Sequence, residues 1–156
     1  MSHNVIAIDP GAVSGAIAVF FGAGGQSVGD LAIVNGQVDA AALSRMVRLA
    51  APCVAIVEDV HSMPKQGVSS TFKFGVAVGI IRGVLVAYGV PLYYVAPTVW
   101  KKHFGLIGPD KEKSRALALQ RYPALAESLG LKKHQNRAEA LLLGEWFLAT
   151  NKGQRP

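Results

Sequence analysis

Cysteine and acid are both scarce in this chain. The single cysteine, Cys53, excludes a disulfide framework, and its place in the apolar run Cys-Val-Ala-Ile-Val predicts a buried structural thiol in a reducing compartment. No grouping of Cys and His has the spacing of a zinc site. Only 10 Asp and Glu stand against 16 Lys and Arg, giving a net charge of +6 and a pI near 9.7. That excess favours a polyanion as partner, nucleic acid first, although basic domains that bind nothing acidic are also common. The longest apolar stretch, near residues 76–90, is broken by Gly79, Arg82, Gly83, Tyr88 and Gly89, and Met-Ser-His-Asn at the start lacks the charged and apolar regions of a secretory leader. The expectation is a soluble, cytoplasmic protein.

What the chain does have is core material: 51% of its 156 residues are hydrophobic, without repeats or a break in composition, so a single domain over 1–156 is expected, with 151–156 a frayed tail. Residues 5–9, 15–21 and 28–34 are β-rich runs separated by glycine turns, the pattern of a three-stranded antiparallel meander. Asp39 opens an Ala/Leu-rich helix over 40–50, and the apolar strand 53–58 follows Pro52. Ser69 or Ser70 can cap a long helix to Tyr88, which Gly89-Val90-Pro91 ends before a strand over 92–95. Thr98 is expected to cap a short helix with Trp100 and Lys101, Asp110 the helix 111–121, and Gly130 to end a minor turn before a last helix over about 136–149. The result is an α/β fold whose layout matches the RNase H-like one: a mixed five-stranded sheet, antiparallel meander plus parallel strands, with helices on both faces.

Two acids stand at strand ends. Asp9 follows Val-Ile-Ala-Ile and precedes Pro-Gly, where it caps a turn or serves a site. Glu58 ends the apolar strand 53–58, and alternation sends Asp59 to the opposite face. In the last helix Glu139 shares its stripe with Leu142, Leu143 and Trp146, which should pack on the sheet; Asn136 lies one turn earlier and His134 just before the helix. Burying ionised carboxylates requires compensating charge, and an oxygen-rich set of this kind suits Mg²⁺ or Mn²⁺.

Ile8-Asp9-Pro10-Gly11, Val57-Glu58-Asp59-Val60, Pro97-x-x-Trp-Lys101, Glu112-Lys113-Ser114 and Ala138-Glu139-Ala140-Leu141-Leu142-Leu143, in this order over residues 5–147, together resemble the RuvC family of Holliday-junction resolvases, most closely its compact phage and prophage type. The resemblance implies a homodimeric, Mg²⁺-dependent endonuclease that cuts four-way DNA junctions by paired nicks, with two ions per site and Mn²⁺ as a substitute. By position Asp9, Glu58 and Glu139 match metal-binding acids, and Lys101 and Lys113 match lysines of the family motifs, which a scissile phosphate would use. Asn136 falls where the family carries Asp and in some relatives His. An engineered substitution, a natural variant in which His134 serves instead, and a centre working with three acids all fit that departure. The loop 61–68 corresponds to the one that probes the junction centre, which puts His61, Met63 and Lys65, together with Lys102, among candidate DNA contacts. Phe72 and Phe74 are core or junction contacts. Gly75, Gly79 and Gly83, spaced by four, mark a face for close packing, within the fold or, on the resemblance, between the two copies of a dimer.

Three other readings compete: a junction-binding protein whose cleavage is weak because of Asn136, an RNase H-fold nuclease acting on RNA, and an actin-like phosphotransferase, for whose two lobes the chain is too short.

Overall fold

The computed structural model describes residues 3–11, 13–61, 65 and 67–151. Strands β1 (Asn4–Asp9), β2 (Ala16–Phe20) and β3 (Gln26–Asp30) make the antiparallel meander, and β6 (Cys53–Glu58) and β7 (Leu92–Val95) extend it in parallel on the other side of β1. The order across the sheet is β3-β2-β1-β6-β7, so β1 is central. The third run ends earlier than its composition suggests. Ile33 and Val34 belong to a separate ribbon, β4 (Ile33–Val34) paired with β5 (Gln37–Val38). Asn35 and Gly36, with φ of 49° and 74°, form the two-residue turn that Asn-Gly favours and that reverses the chain there.

Among the described residues six α-helices accompany the sheet: α1 (Ala40–Ala50), α2 (Val68–Ala87), α3 (Pro97–His103), α4 (Glu112–Arg121), α5 (Ala126–Leu129) and α6 (Gln135–Thr150). Asp39 caps α1 as expected, its carboxylate accepting from the Ala41 and Ala42 amides at 2.9 and 3.0 Å. Other caps differ. Gly67 precedes α2 without a side-chain bond, which leaves Ser69 and Ser70 inside the first turn. Pro97 takes the first position of α3, where its missing N–H costs nothing, so Ala96 and not Thr98 is the flanking residue. Asp110 does accept the Glu112 amide at 3.0 Å, one residue ahead of the formal cap Lys111. Gly130 ends α5 as expected, and Asn151 closes α6 with its amide on the Phe147 carbonyl.

Strand alternation sorts the core into two layers. Ile6, Ile8, Ile17, Val19, Ala55 and Val57 face α1 and α2, whereas Val5, Ala7, Ala18, Phe20, Val54 and Ile56 face α6 and the α3–α5 region. Asp9 and Glu58 share the parity of the second set. α6 is drawn tightly onto β1 and β2 at Gly144: a methyl group there would clash with the Phe20 ring and stand 3.0 Å from the Ala7 methyl. Gly144→Ala should therefore lift the helix and destabilise the fold by about 1–3 kcal/mol, the usual cost of overpacking, which would be read as a fall in Tm.

α2 departs from the expected packing. Among the described residues it is the one helix long and apolar enough to cross a membrane, yet only Ala77, Ile81 and Leu85 of it are buried. Among the described residues, methyl groups at Gly75, Gly79 and Gly83 would meet nothing within 4 Å, so close packing against these does not explain the stripe. Val68, Phe72 and Val86 are exposed as well.

Candidate metal centre

In the parallel pairing of β1 with β6, Ile8 is level with Val57, so the next residues, Asp9 and Glu58, leave the sheet side by side on the face that α6 covers. The close approach of α6 carries Glu139 over them. One oxygen from each of the three carboxylates lies within 4.8 Å of the others. Asp9 and Glu58 are buried, with exposures of 8% and 6%, and Glu139 is half-buried.

This placement has an electrostatic cost. Burial pushes the Asp9 carboxyl well above its ordinary value, and the charges of Glu58 and Glu139 push it further, against a smaller opposing effect of Lys101. Burial raises Glu58 also; the bond from Trp100 works against that rise, Glu139 adds to it and Lys101 opposes it. Among the described residues the compensation at the cluster is one ammonium: Lys101 Nζ stands 3.2 Å from Glu139 Oε1. With all three carboxylates ionised, one positive charge against three negative ones leaves two uncompensated, the charge of a divalent cation. Three carboxylates converging within 4.8 Å make an all-oxygen donor set that could hold a divalent metal ion.

Around the acids, the Trp100 indole N–H donates to Glu58 Oε2 at 2.7 Å, and the Gln135 amide donates to Glu139 Oε1 at 3.2 Å. Neither partner stands out in the sequence beyond the place of Trp100 in a motif; the tryptophan directly before Lys101 is the available signal. The strand-to-strand turn after Asp9 is held by Gly11 and Gly15, whose backbones approach so closely that a methyl on Gly15 would stand 2.9 Å from the Asp9 carbonyl oxygen.

The other residues named from the sequence are placed as follows. Asn136 is half-buried in the first turn of α6 and its amide donates to the Ser14 carbonyl in the turn after Asp9. His134 is buried outside the cluster: its Nδ1 accepts the Leu131 amide at 3.3 Å, and burial with the charges of Arg137 and Lys133 lowers its pKa. Arg137 anchors the start of α6 through a two-pronged contact with Asp30, at 2.7 and 2.8 Å. Lys102 and Lys113 are exposed on α3 and α4. His61 is exposed and lies 3.4 Å from Asp59. Lys65 is exposed with a left-handed φ of 71°, whereas Met63 lies outside the described residues. Phe72 is exposed and Phe74 half-buried.

Sheet order, helix-covered face and acidic cluster together define the class: an RNase H-like protein with a carboxylate centre at the ends of its two middle parallel-paired strands. No family model matches the chain. A curated relative does, the crossover junction endodeoxyribonuclease RuvC of Nitratidesulfovibrio vulgaris, 36% identical over 121 residues and covering 70% of each chain. Among solved structures, Thermus thermophilus RuvC in complex with a Holliday junction substrate superposes with a TM-score of 0.60 at 19% identity, over 94% of this chain and 95% of that one. The fowlpox virus Holliday junction resolvase does so with a TM-score of 0.58 at 14% identity, over 94% and 98%. The chain belongs to the RuvC family of crossover junction endodeoxyribonucleases.

Proposed function

We propose that this protein resolves four-way DNA junctions by metal-dependent hydrolysis of one phosphodiester in each of two strands, working as a homodimer in the cytoplasm. The observation that carries the reading is the convergence of Asp9, Glu58 and Glu139 within 4.8 Å on a RuvC-type fold. Asp9, Glu58 and Glu139 would together hold the Mg²⁺ or Mn²⁺ ions, two of them on the family resemblance. Held there, the ions would supply an activated water for in-line attack and charge neutralisation at the leaving 3′-oxygen, which would give a 5′-phosphate. The chain's own part is to fix the carboxylates on a rigid sheet edge and to bring cations to the phosphate. Lys101, on α3 and paired with Glu139 of α6, would meet a scissile phosphate at the acids, and Lys102 and Lys113 would add positive charge along α3 and α4. His61 and Lys65, after Glu58, are suited to contact the centre of an opened junction.

The exposed apolar face of α2, with its glycine stripe, supports the dimer: contact of this face with its copy is isologous and would set two centres on one assembly. Gly79→Glu is expected to leave the monomer folded, because the side chain enters open space and glycine is the poorer helix former by about 1 kcal/mol. The same change should halve the mass in solution and replace paired nicking with isolated nicks. A wild-type mass of one chain would remove the dimer from the reading.

The test of function offers a four-way junction, a linear duplex and an RNA hairpin of equal length to the wild-type protein in Mg²⁺ and in Mn²⁺. Symmetric nicking confined to the junction is expected. Equal binding and cutting of the duplex would sink junction specificity, and preferential cutting of the hairpin would turn the reading to RNA.

A further inference from the structure

Trp100 is the largest fully buried side chain among the described residues, and its only polar side-chain atom does not bond to a backbone carbonyl, as an indole in a core could, but to Glu58 Oε2 at 2.7 Å. The indole N–H is a donor only, and the ring is locked among the residues of the α6-side core, so it has no second arrangement in which to release the carboxylate. Glu58 is itself buried at the end of β6, where close packing leaves few rotamers open to it. One oxygen of Glu58 is therefore engaged from outside the cluster, and the plane of the carboxylate is set by that engagement. Lys101, the next residue on α3, lies 5.3 Å from the centre of the same ring and pairs with Glu139. One short helix thus orients two of the three acids.

We propose that Trp100 is a positioning residue that holds Glu58 to coordination through a single oxygen and so biases the centre toward small octahedral cations and against calcium. Ca²⁺ takes six to eight oxygens at about 2.3–2.6 Å and readily uses both oxygens of a carboxylate, whereas Mg²⁺ takes six at about 2.0–2.1 Å and accepts one from each. The indole bond takes one of the two lone-pair sites of Oε2 and fixes the plane of the carboxylate, which disfavours the two-oxygen mode at Glu58 that a larger ion would use. The inference rests on the metal-centre reading above and adds a cause for its ion preference.

Calorimetric titration of the DNA-free protein with Mg²⁺, Mn²⁺ and Ca²⁺ separately tests it. Two variants are compared with wild type: Trp100→Phe, and the protein carrying benzothienylalanine at position 100, which keeps the shape of the indole and lacks its N–H. The second guards against a cavity effect in the first, and thermal unfolding establishes that each is folded. Loss of the N–H is expected to lower the ratio of the Ca²⁺ to the Mg²⁺ dissociation constant by on the order of 10-fold, within the range that outer-shell partners of metal ligands command. A merely structural role would shift all three ions together. If the benzothienylalanine protein binds the three ions in the wild-type proportions, the role of Trp100 is overturned and the centre stands. If the wild-type protein binds none of them, the metal-centre reading fails and takes this inference with it.

Discussion

Asp9→Asn is expected to reduce junction cleavage by on the order of 10³-fold or more while making the metal-free protein more stable. The loss follows from geometry: Asp9 is buried at the end of the central strand within reach of both other carboxylates, so no neighbour replaces its charge. The gain follows from linkage. Asp9 has a folded-state pKa raised above its ordinary value of 3.8, and Glu58 one raised above 4.5, both by burial first. In the interval between the ordinary and the raised value the folded state binds more protons than the unfolded one, so stability falls as pH rises through it. Above the raised values the cost is present in full. Asn keeps the shape and removes one buried charge, so the variant should melt at higher temperature than wild type near neutral pH, by about 2–4 °C for each kcal/mol relieved, and the difference should shrink as the pH falls toward the ordinary carboxylate range. Adding Mg²⁺ should raise the wild-type Tm and leave that of the variant nearly unmoved, since only an ion-binding native state gains from it. Junction affinity without metal should be retained. Thermal scans across pH with and without Mg²⁺, beside a nicking assay, give all of these readouts; a variant that cuts normally would end the assignment of Asp9 to the chemistry.

That Asp9 and Glu58 are visible in the chain, and Trp100 as a partner is not, has a physical cause. A strand side chain's face is set by counting in twos, so Ile8 and Asp9 or Val57 and Glu58 are assigned to opposite faces as soon as the apolar run is recognised. Glu139 is legible in the same way from the helical period, since Leu142 and Leu143 share its stripe. The bond from Trp100 to Glu58 joins positions 42 residues apart on different elements and depends on how α3 is tilted onto the core, which no local period encodes. His134 misleads for the related reason that proximity along the chain places it near Asn136, while the turn before α6 aims its ring at the Leu131 amide. The glycine stripe of α2 is legible in the sequence, but a single chain's sequence cannot say whether an approaching surface is its own; among the described residues, methyl groups added at Gly75, Gly79 and Gly83 would meet none. The turn at Gly36 is a local signal and is legible, whereas the separate ribbon it closes is not, because β-rich residues continue past Asp30 to Val34.

Asn136→Asp is expected to lower the metal concentration for half-maximal cleavage by on the order of 10-fold, the scale on which a change beside metal ligands acts. Asn136 sits one helical turn before Glu139, on the same stripe, and its amide is turned to donate to the Ser14 carbonyl. A carboxylate cannot make that bond: two acceptor oxygens would face each other, so the Asp side chain must leave Ser14, and its place one helical turn before Glu139 lets it turn toward that acid. A fourth carboxylate there strengthens cation binding and supplies what the family resemblance leads one to look for at this position. The same substitution removes the tie between α6 and the turn after Asp9, so the metal-free variant should lose about 1 kcal/mol of stability, and added charge repulsion should deepen that loss at neutral pH. Asn136→Ala separates the two effects, since it breaks the tie without adding a ligand; it should lose the stability that the tie supplies and show none of the gain in metal affinity. Calorimetric Mg²⁺ titration and cleavage rates at limiting Mg²⁺, measured on wild type and both variants, distinguish the cases. Should Asp and Ala weaken cleavage alike, Asn136 is a fastener for the Asp9 turn and the centre works with three acids; should Asp alone accelerate it, the amide is what limits the enzyme.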